Sequence, residues 1–97
     1  MVWKDINKES KILIDKLKLL SFKISAAESC TGGLLSSAIV NNSGVSEVFE
    51  RSFITYSNEA KINILKIDYN IIEEFGAVSK QAAYHMALSL VNNFKED

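Results

Sequence analysis

Phe22-Lys23-Ile24-Ser25-Ala26-Ala27-Glu28, then Ser29-Cys30-Thr31-Gly32-Gly33, then Leu34-Leu35-Ser36-Ser37-Ala38-Ile39 is the stretch on which the fold turns. Its first part is a run of small and apolar residues, short enough for a strand packed on at least one face. The five residues that follow break the pattern. Leu34, Leu35, Ala38 and Ile39 then resume it with helical spacing, until Asn41-Asn42-Ser43-Gly44 stops the helix. Downstream, Phe49 to Tyr56 reads as a second strand, strongest at Phe53-Ile54-Thr55-Tyr56. Strand 22–28, helix 33–41 and strand 49–56 form a βαβ crossover if the strands are parallel, and the carboxyl ends of both then lie at one edge. Ligands of open α/β sheets bind outside that edge. Ser29 follows the first strand and Tyr56 to Lys61 follows the second, so residues far apart in the chain are expected in one cleft.

Working outward, Lys4 to Leu20 has helical periodicity, with Ile6, Leu13, Leu17 and Leu20 on one stripe and a lysine-rich opposite face. Acidic residues interrupt that face, which marks it as a solvated surface. Ser57-Asn58-Glu59 signals the start of a short helix running to about Leu65. Asn70-Ile71-Ile72-Glu73 has capping-box spacing and opens another, which Gly76 ends. Ser79 caps a last helix to about Phe94, with an expected buried stripe of Ala83, Met86, Ala87, Leu90, Val91 and Phe94. The order α-β-α-β-α-α-α places the chain in the α/β class. Two strands are a small sheet for so many helical faces.

The totals restrict the function. Ninety-seven residues make a single domain at most. A formal net charge of -1 argues against a basic nucleic-acid binder or a polybasic membrane surface. One cysteine rules out an internal disulfide framework, and one cysteine with one histidine makes a conventional metal site a poor expectation. The start lacks the basic segment and apolar run of a signal peptide, and no apolar run reaches the ~18 residues of a membrane span. A cytoplasmic chain with no membrane and no nucleic-acid partner is expected. It contains no proline, so few elaborate loops are expected.

Each chemistry-bearing residue has two readings. Ser29 or Thr31 caps the following helix, or Ser29 is a hydroxyl nucleophile at a tight turn, with Gly32 and Gly33 letting main-chain amides approach an oxyanion or phosphate. A serine nucleophile needs a base. His85, the only histidine, reads as a solvated helix residue, so a Ser-His-Asp triad is disfavoured. Lys61 is a solvated helix lysine or the base itself, since a helix start and the inside of a cleft both disfavour a lysine's charged form. Tyr56 is an ordinary strand aromatic or a group that relays the proton. Glu28 and Glu59 form an acid/base pair, or Glu59 is simply a favourable first-turn carboxylate. Cys30 is a nucleophile or, more simply, a buried thiol.

Taken together, three motifs narrow these choices. Ala27-Glu28-Ser29-Cys30-Thr31-Gly32-Gly33, Thr55-Tyr56-Ser57-Asn58-Glu59-Ala60-Lys61 and Gly76-Ala77-Val78-Ser79 resemble, in order and spacing, the signatures of the CinA carboxyl-terminal domain family, which includes the nicotinamide mononucleotide deamidases. The resemblance extends from the first helix onward. It implies a three-layer α/β/α domain, incomplete here, with about two strands and four to five helices retained in one partial domain over residues 1–97. It implies hydrolysis of a nucleotide carboxamide to a carboxylate and ammonia, with no cofactor and no metal. Ser29, Tyr56 and Lys61 match the catalytic serine, tyrosine and lysine; Thr31, Gly32 and Gly33 fall where substrate binding is expected. Ser52 stands where a glycine is common.

The family domain continues past the last helix with further strands and a glycine- and proline-rich loop that helps build the pocket. The sequence ends at Asp97 without them, and the amino-terminal domain of the larger relatives is absent too. A carboxyl-terminally truncated amidase, weak or inactive as a lone chain, is therefore expected. Its alternative is a non-catalytic remnant that self-associates or binds a complementing chain through an exposed sheet edge.

Overall fold

The computed structural model describes residues 3–94, in the order α1 (Trp3–Leu20), β1 (Ile24–Glu28), α2 (Leu34–Val40), a 3-10 turn (Val45–Glu47), β2 (Phe49–Ile54), α3 (Asn58–Leu65), α4 (Tyr69–Phe75) and α5 (Lys80–Asn93). This is a mixed α/β fold with five helices and one sheet of two neighbouring parallel strands among the described residues. Both strands are shorter than expected: Phe22 is exposed before β1, and Thr55 and Tyr56 lie beyond the end of β2. The strands are in register from the Ile24 amide, which donates to the Val48 carbonyl at 2.7 Å, to the Thr55 amide, which donates to the Glu28 carbonyl at 2.9 Å.

The fold divides into two compact units. One takes the described residues up to Ala26 together with Gly33–Ser52; the other takes Ala27–Gly32 and the described residues from Phe53 on.

In the first unit α1 packs on α2, and Ile14, Ile39 and Val48 form a core flanked by Leu17, Ile24, Val45 and Phe49. Burying each such side chain contributes about 1.5–3 kcal/mol. The buried line of α1 is not the expected one. Ser10 and Ile14 face inward, whereas Leu13 and Leu20 are exposed. Leu34 and Leu35 of α2 are likewise exposed, leaving Ala38 and Ile39 to the core. Small Ser10 and Ala38 are the side chains that two closely packed helices accommodate. Ser52, where glycine was the family expectation, has its hydroxyl 2.6 Å from that of Ser36, so the substitution gains a cross-link between β2 and α2.

In the second unit α3 and α4 both pack on α5 around Leu65, Ile67, Ile72, Met86 and Leu90. Phe53 and Phe94 stack with ring centroids 4.6 Å apart at its margin. The buried line of α5 is Ala82, Met86, Ser89 and Leu90, while Ala83, Ala87 and Val91 of the expected stripe are exposed. Periodicity misassigns the stripe because it counts serine as polar. Ser89 goes inward because its hydroxyl donates to the Leu65 carbonyl, satisfying both groups inside the core. Caps are as expected at Ser57, which accepts from the Ala60 amide, and at Ser79, which accepts from the Ala82 amide. The start of α4 is a correction. Asp68, not Asn70, is its N-cap, and it accepts from the Asn70 amide at 2.8 Å. Gly76 ends that helix at φ 88, as expected.

Candidate functional site

The site residues expected after the two strands converge in the second unit. Glu28 is the last residue of β1 and is 3% exposed. The chain then turns, with the Gly32 amide donating to the Ser29 carbonyl at 3.0 Å and Gly32 at φ 63, a value that L side chains adopt with strain. On the other arm, Thr55 is fully buried and Tyr56 leads into Ser57, the cap of α3.

Lys61 decides the character of the site. It is 2% exposed, which overturns its reading as a solvated helix lysine. Its main-chain amide donates to the Ser57 carbonyl in the first turn of α3. Its Nζ donates to the Tyr56 carbonyl at 3.0 Å. The Ser29 Oγ donates, over a longer 3.4 Å, to that same carbonyl oxygen. A hydroxyl from the first loop and a buried amine from the second thus share one acceptor. Their separation cannot exceed the two bond lengths taken together, within reach of a proton transfer through one water.

The other expected residues differ in their parts. Tyr56 meets Ser29 and Lys61 through its carbonyl, and its side chain is 70% exposed. Neither Ser29 nor Thr31 caps α2. Its N-cap is Gly33, in the left-handed conformation with no side-chain cap bond, and Gly33 belongs to the first unit. The Thr31 hydroxyl donates instead to Glu28 Oε1 at 2.7 Å. The Gly32 amide, expected to meet an anion, closes the turn. Cys30 is free and exposed rather than buried. Glu59 is exposed in the first turn of α3. His85 is half-buried, with its ring edge-on to that of Tyr84 at 5.4 Å.

Sequence reasoning assigned no part to Thr55. Its Oγ1 is buried without a hydrogen-bond partner. A threonine inside a β pattern is usually there for its strand preference, so nothing in the local sequence marks it out. Among the described residues no cluster of three or more His, Cys, Asp or Glu could hold a metal, and no helix is long and apolar enough to cross a membrane.

Parallel strands delivering a hydroxyl and a buried amine to adjoining loops define an α/β domain of the kind that places its chemistry at the carboxyl edge of a sheet. The chain belongs to the CinA C-terminal domain family, whose model matches residues 6–97. It is 45% identical over 87 residues to a CinA-like protein of Dictyoglomus thermophilum, a match over 90% of this chain and 21% of that protein. Among solved structures, it superimposes on the competence/damage inducible protein CihA from Agrobacterium tumefaciens with a TM-score of 0.85 and 40% identity, over 90% of this chain and 53% of that one. A CinA superfamily protein from Escherichia coli gives a TM-score of 0.87 at 28% identity, over 94% of this chain and 54% of that one. The chain thus spans about a fifth of the curated relatives it matches and about half of the solved chains.

Proposed function

We propose that this domain carries an amidohydrolase site of the nicotinamide mononucleotide deamidase type, with Ser29 as nucleophile and Lys61 as base. The observation that supports the reading is the shared acceptor: Ser29 Oγ and Lys61 Nζ both bond the Tyr56 carbonyl oxygen. Lys61 takes the Ser29 proton as Oγ attacks the carboxamide carbon. The amine then returns the proton to the departing nitrogen, which leaves as ammonia. Water attacks the resulting ester, Lys61 again moving the proton, and the carboxylate is released with Ser29 restored. The exposed Tyr56 ring, at the mouth of the two loops, relays the proton or contacts the substrate ring. The glycine pair serves substrate binding, whereas the Thr31 hydroxyl, also expected to do so, is engaged by Glu28. Because the Gly32 amide is engaged, the oxyanion falls to other amides of the turn. The reaction calls on no cofactor in this scheme. The substrate is a small-molecule nucleotide rather than a nucleic acid, in keeping with a formal net charge of -1.

The test is ammonia release from nicotinamide mononucleotide, measured on this chain and on the chain extended with the part of a solved relative that it does not span. Ser29→Ala abolishes release. Lys61→Met keeps the fold, because an apolar side chain of similar length replaces a buried amine, and lowers kcat by about 10²–10⁴. Release from neither protein, or release that survives Ser29→Ala, overturns the proposal. The alternative of a non-catalytic, self-associating module draws support from exposed Leu19, Leu20 and Phe22. A monodisperse monomer by light scattering counts against it.

A further inference from the structure

Glu28 is the point where the two catalytic arms meet. Its carbonyl accepts the Thr55 amide at 2.9 Å, one residue before Tyr56, whose own carbonyl receives Ser29 and Lys61. Its side chain reaches forward three residues and accepts the Thr31 hydroxyl at 2.7 Å, across the turn that carries Ser29. A glutamate is among the side chains least often buried, yet this one is 3% exposed. Thr31, by contrast, is exposed, so its hydroxyl could be solvated by water and is instead spent on this bond. The turn itself needs holding. It includes Gly32 at φ 63, and the Gly32 amide closes it on the Ser29 carbonyl.

We infer that Glu28 and Thr31 are positioning residues, a carboxyl–hydroxyl clamp that fixes the turn bearing Ser29 against the segment bearing Tyr56 and Lys61. The part given to Ser29 rests on the amidohydrolase reading; the clamp on the turn does not. Glu28 takes no proton in this scheme. At the turn it acts through Thr31.

Two measurements separate the clamp from the chemistry. The first is amide hydrogen exchange at Gly32, which reads the turn whether or not the protein has any activity. Thr31→Val, which keeps the shape of the side chain and removes its donor, should lower protection of the Gly32 amide by about tenfold, while amides in the α5 core keep theirs. Thr31→Ser, which retains the hydroxyl, should restore it. Glu28→Ala should lower it at least as far, and adding Thr31→Val to Glu28→Ala should lower it no further, because the hydroxyl has then already lost its acceptor. The second is phosphonylation of Ser29 by a fluorophosphonate, with fluoride leaving, alongside kcat and KM for amide hydrolysis. Both the phosphonylation rate and kcat should fall about tenfold in Thr31→Val with KM unchanged. Unaltered Gly32 protection in Thr31→Val overturns the clamp, and so do losses that add in the double variant. A raised KM at constant kcat overturns it in favour of direct substrate binding by Thr31. Loss of Gly32 protection in a protein whose Ser29 never reacts with the fluorophosphonate upholds the clamp and overturns the amidohydrolase reading alone.

Discussion

At the scale of single residues, environment decides what each ionisable group does. Lys61 and Lys66 are five residues apart, yet one is buried against a carbonyl and the other is exposed just beyond the end of α3 at φ 60. Tyr69 gives the pH-dependent case. Its hydroxyl donates to Glu73 at 2.7 Å, one helical turn away, and this bond, together with the neighbouring carboxylate charge, raises its pKa above the ordinary 10.0. The bond stabilises the protonated phenol in the folded state. Its contribution is therefore whole below the unfolded phenol's ordinary pKa and disappears as pH rises through the raised folded value. In an alkaline titration followed by tyrosinate absorbance, Glu73→Gln is expected to bring one phenol back toward 10.0. An unchanged curve would contradict the assignment.

Helix boundaries show how far local signals carry at the scale of elements. Ser57 and Ser79 were legible as caps because a short hydroxyl before a helical run has few other uses, and each accepts the expected amide. Asn70 was misleading. The Asn-x-x-Glu spacing mimics a capping box, but Asp68, two residues earlier, reaches the Asn70 amide first and starts the helix at Tyr69. Urea unfolding should separate these cases. Ser57→Ala, Asp68→Ala and Ser79→Ala should each cost about 1 kcal/mol, with Asn70→Ala within about 0.5 kcal/mol of the parent. Ser79→Ala is expected to be the costliest, since its hydroxyl also donates to the Gly76 carbonyl.

At the scale of the whole molecule, packing chose among faces that the pattern left equivalent. Helix α5 offers two apolar lines about one residue apart, and the core took Ala82, Met86, Ser89 and Leu90 rather than Ala83, Ala87 and Val91. Leu90→Ala is expected to cost about 2–5 kcal/mol through transfer and cavity terms, and Val91→Ala to stay within about 0.5 kcal/mol. Midpoints of thermal unfolding for the two variants check this directly. Equal losses would mean that Val91 is covered in solution.

The order of helices and strands and the breaks at Ser29–Gly33 and Gly76 could be read along the chain, and the pairing of a serine loop with a lysine helix followed from the parallel crossover expected of them. The order and the breaks rest on interactions within a few residues: caps, positive-φ glycines and apolar periodicity. Two further features needed contacts across tens of residues. Tyr56 contributes its carbonyl rather than its ring to the meeting of Ser29 and Lys61, and Ser89 faces inward to donate to the Leu65 carbonyl. A polar side chain goes where its hydrogen bond is satisfied, and for these residues that partner exists only once the chain has folded.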